Sequence, residues 1–164
     1  MPVQNPKDLF LYELSAMHDA QKKSVQWKGE IAGQVRDATL QQTVRMEQEQ
    51  GQRMVNNLDA GFQSLGTQPA DVPCRAFDGM RAEYQQFMSQ NPAPEMVDLY
   101  TVGALLKAAH FGVGSYKSLV DKATMLGETR CAQMLHTNLV MIEDTSGRTE
   151  RISHEMCQRV MATA

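Results

Sequence analysis

Aromatic residues are scarce in this 164-residue chain, 6% of the total with a single tryptophan, so a core has to be filled by Leu, Met, Val and Ala. Cysteine is scarcer still. Cys74, Cys131 and Cys157 are odd in number and widely spaced, with no Cys-x-x-Cys. That argues against a disulfide framework and against a zinc site built from thiolates; free thiols, buried or half-buried, are expected instead. No apolar run approaches the roughly 18 residues that mark a membrane-spanning helix, so no membrane contact is expected. Basic residues do not cluster. The 16 Lys and Arg are interspersed among 19 Asp and Glu, for a net charge of −3, which leaves no footprint for nucleic acid. The opening Met1-Pro2-Val3-Gln4-Asn5-Pro6 lacks the basic-then-apolar pattern of a secretory signal, and a cytoplasmic location is the expectation. There is no P-loop, no Gly-x-Gly-x-x-Gly, no Gly-x-Ser-x-Gly elbow, and no sustained strand alternation.

What the chain does have is helical periodicity, cleanly punctuated. Hydrophobic residues make up 42% and charged residues 21%, in the range of a globular domain, and residues 1–164 are read as one domain. Asn5-Pro6 offers an N-cap followed by Pro at the first helical position. Phe10, Leu14, Met17, Gln21, Ser24 and Ile31 then fall on one face, to about Gly33. Asp37 caps a second helix whose stripe is Leu40, Val44, Glu47, Gly51, Met54, Leu58, Phe62 and Leu65, ended by Gly66. A shorter helix is expected from about Cys74 to Ser89, before the break at Asn91-Pro92-Ala93-Pro94. The third long helix runs from Glu95 to Leu126, with Leu99, Val102, Leu106, Ala109, Val113, Tyr116 and Val120 on one face, and stops at Gly127. The fourth starts near Glu128. Its middle, Asp144-Thr145-Ser146-Gly147, is poor helix material and predicts a bend or break. Trp27 and Tyr84 show no pattern of stacking partners, and Trp27 reads as a core or interface anchor. The 12 methionines are scattered. Thioethers suit copper(I), but without a Met-x-x-Met cluster they read as gap fillers between helices.

Connection lengths give the topology. Helices one and two, and likewise three and four, are joined by a few residues and should be antiparallel neighbours. About 29 residues separate Leu65 from Glu95, enough to cross a bundle some ~30 Å long. Two antiparallel hairpins joined by one long crossover with a short extra helix is the ferritin-like four-helix bundle, an all-α fold.

Several stretches resemble the YciF-like ferritin-like family. They are Lys7-Asp8-Leu9-Phe10-Leu11-Tyr12-Glu13-Leu14, then His18-Asp19-Ala20-Gln21-Lys22, and the second-helix ending Leu58, Phe62, Leu65-Gly66. Pro73-Cys74-Arg75-Ala76-Phe77-Asp78-Gly79-Met80 is similar to that family's Cys-x-Ala-Met-x-Gly stretch, and His110 and Tyr116 match the His and Tyr of its third helix. The resemblance spans roughly residues 7 to 145. It implies a stress-associated bacterial protein, a dimer, with a di-metal carboxylate site between the helices.

That site is where the chain departs. Two metal ions a few ångströms apart need several anionic oxygens, usually one Glu from each of two helices and a Glu-x-x-His from each of the other two. The chain contains no Glu-x-x-His and no His-x-x-Glu. Where the family has ligands, this sequence has Gln21 on helix one, Gln50 on helix two with Glu47 and Glu49 nearby, Ala109 and Gly112 on helix three, and Met141 and Ile142 on helix four. Gln is a neutral donor; Ala, Gly, Met and Ile give no anionic oxygen. An ordinary di-iron centre therefore reads as disabled.

The remaining central positions, Gln21, Gln50, Gly51, Ala109, Gly112, Gly114 and Gly147, are small or neutral. They fit either close helix packing, with the two Gln bonded to each other or to water, or a cavity near His110 and Met141. His18 and His110 share a site on one reading and are structural on the other. Glu150 and His154 make a surface ion pair at best. The leading expectation is a non-catalytic ferritin-like bundle, a homodimer with a binding or structural role, a degenerate metal site and no cofactor. The alternative is a metal-binding protein or oxidoreductase that holds iron or manganese with Glu13, His18, Glu47, His110 and Glu143.

Overall fold

The computed structural model describes residues 2–163. It contains five helices: α1 (Pro6–Ala32), α2 (Ala38–Ser64), α3 (Arg75–Met88), α4 (Pro94–Met125) and α5 (Thr129–Thr163). Local chemistry sets most of the ends. The Asn5 side chain accepts from Asp8 N at 2.9 Å with Pro6 following, and Asp37 accepts from Leu40 N at 2.9 Å, so each helix gains a partner for an otherwise orphaned donor. Gly66 and Gly127 carry φ of +68° and +73°, the left-handed backbone that glycine enters without a Cβ clash.

α1 and α2 form one antiparallel hairpin and α4 and α5 the other, with α1 beside α4 and α2 beside α5. Pairings along the helices give the directions. Lys122 near the end of α4 reaches Glu13 near the start of α1, while Asp98 at the start of α4 accepts from Arg36 N and Asp37 N just beyond the end of α1. Every neighbouring pair of long helices is thus antiparallel, as the connection lengths require of a ferritin-like bundle.

The crossover climbs α1 step by step. Ser15 Oγ accepts from Ala70 N at 3.1 Å, Asp19 Oδ2 from Cys74 N at 2.7 Å, Lys23 pairs with Asp78 at 2.6 Å, and Glu30 with Arg81 at 3.2 Å. Trp27, 3% exposed, packs edge-to-face on Phe77 and Tyr84 of α3 at 6.1 and 5.4 Å. Such contacts are worth ~0.5–1.5 kcal/mol beyond burial. Trp27 and Tyr84, which show no pattern of stacking partners in the sequence, thus do have aromatic partners: Trp27 meets Phe77 and Tyr84 of α3, and Tyr84 meets Trp27 of α1 and Tyr100 of α4.

Two further expectations change. α5 runs unbroken through Asp144-Thr145-Ser146-Gly147. Thr145 and Thr149 are buried within it, and packing of that face outweighs the ~1 kcal/mol that a glycine costs a helix. Cys74 and Cys131 are buried free thiols, but Cys157 lies exposed on α5. Among the described residues no helix is long and apolar enough to cross a membrane.

Candidate functional site

The four long helices, with Phe77 of α3, meet around a small cavity of about 20 Å³ at the bundle centre, room for about one water. Its walls follow from helical spacing. Gln21, Ser24 and Lys28 lie on one face of α1. Glu47 and Gln50 on α2, Ala109 and Gly112 on α4, and Ile142 and Thr145 on α5 are pairs three residues apart, so each pair projects from one face of its helix. The positions where the sequence departs from the ligand pattern that its resemblance implies thus converge on one place. The exception is Met141, half-buried, which offers its backbone carbonyl rather than its side chain.

One carboxylate lines this cavity, that of Glu47, and it is committed. Its Oε2 lies 3.3 Å from Lys28 Nζ, with side-chain exposures of 1% and 8%, and its Oε1 accepts from Thr149 Oγ1 at 2.9 Å. The two glutamines do not bond each other. Gln21 Oε1 accepts from the Tyr116 hydroxyl at 3.0 Å. Gln50 Nε2 donates to Met141 O at 2.7 Å, and its Oε1 takes a long 3.5 Å contact from Arg148. Asn138 Nδ2 donates to the Tyr116 hydroxyl at 3.3 Å and to Met54 O at 3.0 Å, and Asn138 Oδ1 accepts from Asn57. Burial pushes the Tyr116 phenol well above its ordinary range, and the Asn138 hydrogen bond opposes this only in part.

Two of the small residues, Gly51 and Gly112, serve close packing. A Cβ at Gly112 would stand 3.0 Å from Ile142 Cγ1, and one at Gly51 would stand 3.0 Å from Val25 Cγ2 and 3.3 Å from Gln21 Nε2. Gly114 faces open space outside the centre.

A pair of divalent ions does not fit this donor set. One anionic side chain is present where several are required, and an ammonium already neutralises it. Among the described residues no three His, Cys, Asp or Glu side chains come together to hold a metal ion. The alternative ligand set is dispersed. Glu13 pairs with Lys122 at 2.8 Å, His18 Nε2 with Asp59 at 2.8 Å, and Glu143 with Lys117 at 3.2 Å. His110 is exposed on α4, so His18 and His110 share no site. Glu150 makes no ion pair with His154, which meets Gln158 instead.

Lys28, Thr149 and Asn138 are central residues that the sequence pattern does not single out. A signal for Lys28 exists. It falls between Ser24 and Ile31 on the apolar stripe of α1, at steps of four and three.

Known proteins share this architecture. YciF of Escherichia coli K12 is 22% identical over 140 residues, covering 85% of this chain and 84% of YciF. The crystal structure of the E. coli stress protein YciF superposes with a TM-score of 0.90 at 20% identity, over 95% of this chain and 99% of that one. YcfI of Rhodopseudomonas palustris, described as a candidate structural protein, superposes with a TM-score of 0.87 at 24% identity, over 90% and 94%. The fold is the ferritin-like helical bundle of these YciF-type proteins. The family model described as a domain of unknown function, DUF892, matches residues 5–162, and the chain belongs to that YciF-like family.

Proposed function

We propose that this protein is a non-catalytic member of its family, a stress-associated bundle with a binding or structural role, whose di-metal site is degenerate. The observation that carries this reading is the single central carboxylate, Glu47, held by Lys28 and Thr149. Around it stand neutral or apolar side chains, Gln21, Gln50, Ala109, Gly112 and Ile142. Divalent metal sites of this kind concentrate negative charge so that the ion replaces its lost hydration. Here the charge at the centre sums to zero before any metal arrives, and an incoming dication would meet an ammonium. Redox and hydrolytic chemistry of the di-metal type has no anchor on such a centre. The reading also takes the protein as a cytoplasmic homodimer. That fits a YciF-like bundle and its exposed apolar side chains, such as Val140 on α5.

The test is elemental analysis of protein purified without chelators, followed by titration of the apoprotein with iron(II) and manganese(II), with light scattering for the subunit number. The expected result is no metal near stoichiometry. Two tightly bound iron or manganese ions per chain would overturn the reading and restore the alternative of a metal-binding protein or oxidoreductase.

A further inference from the structure

A lysine inside a helical bundle is costly unless its ammonium finds an anion, because the charge loses its hydration. Lys28 finds one, Glu47, on the facing helix. The pair lines the same cavity as Gln21, Gln50, Ala109, Gly112 and Ile142, the positions where a metal-binding relative would hold its ions. The charges match one to one: one carboxylate and one monovalent cation. The demand for oxygens differs in the same sense. An ammonium has three donors and needs a few acceptors at hydrogen-bonding distance, whereas a small dication demands a shell of six or so oxygens, several of them anionic. Glu47 Oε2 faces the ammonium at 3.3 Å, and Ser24 and Thr145 line the same cavity, while the Gln50 amide is engaged by Met141 O and Arg148.

We propose that the bundle centre is a primary-ammonium site whose resident ligand is the Lys28 side chain, standing in for the positive charge of a metal. The assignment rests on the reading of this centre as a degenerate metal site. Its consequence is a ligand class. With the lysine shortened to alanine, the atoms removed are Cγ, Cδ, Cε and Nζ, the skeleton of n-propylammonium. The site then takes small straight-chain alkylammonium ions from solution. Met17 and Phe111 line both the central cavity and an outer cleft of about 370 Å³ between α1 and α4, so the two spaces adjoin at these side chains, on the side from which a small ion would enter.

The experiment is thermal melting of Lys28→Ala with added n-propylammonium chloride, compared with sodium chloride at equal ionic strength, tetramethylammonium chloride and 1-propanol. The expected result is a melting temperature well below that of the unsubstituted protein, restored saturably by n-propylammonium only. The unsubstituted protein should respond to none of them beyond the salt control. Rescue by 1-propanol equal to that by n-propylammonium would show that volume and not charge is being replaced, and would overturn the proposal. So would the absence of any selective rescue. If Lys28→Ala does not fold, Lys28→Met and Lys28→Met/Glu47→Leu decide the matter. Removing both charges should melt higher than removing the lysine alone, and a lower value refutes the pairing. Metal titration of the unsubstituted protein separates the two claims. Stoichiometric iron or manganese overturns the degenerate-site reading and with it this assignment. Failed rescue without metal binding overturns only the ammonium site.

Discussion

Replacing Tyr116 by Phe should weaken the protein at neutral pH and, in strong alkali, make the variant the more stable of the two. Tyr116 is wholly buried. Its hydroxyl donates to Gln21 Oε1 and accepts from Asn138 Nδ2. Phenylalanine keeps the ring and leaves Gln21 Oε1 without that donor, while Asn138 Nδ2 retains Met54 O. An abandoned buried acceptor costs roughly 1–2 kcal/mol, which in a chain of this length lowers the melting temperature by about 3–6 °C. The alkaline limb runs the other way. Burial raises the folded phenol above its ordinary value of 10.0, so the folded state keeps its proton where the unfolded chain releases it. The stability tied to that group is present in full below pH 10 and is lost as the pH rises further, at about 1.4 kcal/mol per pH unit. The Tyr116→Phe variant has no phenol to ionise and so no such loss. Urea denaturation of both proteins at pH 7 and through the alkaline range should therefore give curves that cross near pH ~11. Curves that stay parallel above pH 10, or equal stability at pH 7, would refute both the hydrogen bond and the burial of the hydroxyl.

Asp19 and Asp37 should shape the acid limb. Burial would raise both carboxyls, but it is outweighed: at Asp19 by Lys23 and Cys74 N, at Asp37 by Leu40 N and Arg159, so both lie below their ordinary 3.8. Their contribution is present above that value and is lost as the pH falls through the lowered folded values. Asp19→Asn and Asp37→Asn should each lower stability at pH 7 and flatten its fall below pH 4 in urea titrations, and an unchanged slope would count against the pairings. Thiol reactivity should sort the three cysteines. A thiol reagent at pH 8 is expected to label Cys157 alone at a rapid rate, because Cys74 is buried and burial pushes the Cys131 thiol up to about 11. Mass spectrometry of peptides after brief labelling reads this directly, and fast labelling of Cys131 would contradict its burial.

Most of the scaffold was legible because its signals are local. Asn5-Pro6, Asp37, Gly66 and Gly127 each act within a turn of chain, and the structure places a helix end at each. The length between Leu65 and Glu95 fixed the crossover for the same reason, since reach depends only on residue count. The continuity of α5 was not legible. Gly147 and Ser146 weigh against a helix locally, and what overrides them is the burial of Thr145 and Thr149 against partners about a hundred residues away, Glu47 among them. The partners of Trp27 were hidden likewise, because Phe77 and Tyr84 face it only once α3 has been laid along α1. Lys28 was obscured by its chemistry. A lysine on a helix stripe ordinarily marks the boundary with solvent, and only the facing Glu47 tells that this one points inward.

A buried ion pair is a poor source of stability compared with apolar side chains of the same volume, so the presence of Lys28 and Glu47 calls for another account. Three of the long helices bring uncharged residues to the centre at Gln21, at Ala109 and Gly112, and at Ile142. α2 brings a carboxylate, Glu47, tied to α1 through Lys28 and to α5 through Thr149. The second central network does the same with neutral groups: Tyr116 of α4 reaches Gln21 of α1 and Asn138 of α5, and Asn138 reaches Met54 O and Asn57 of α2. Between them the two networks link all four long helices. Each link has a direction and a length, which a Leu or Met in its place would not impose. A slide of one helix by a turn would meet little directional resistance from apolar side chains alone, Met17 and Met54 among them, but here it would strand an ammonium, a carboxylate and several amides away from water. In a metal-holding bundle the coordination sphere sets that register. In this bundle the polar contacts set the register, and a charge pair that adds little to stability contributes through the arrangement it enforces.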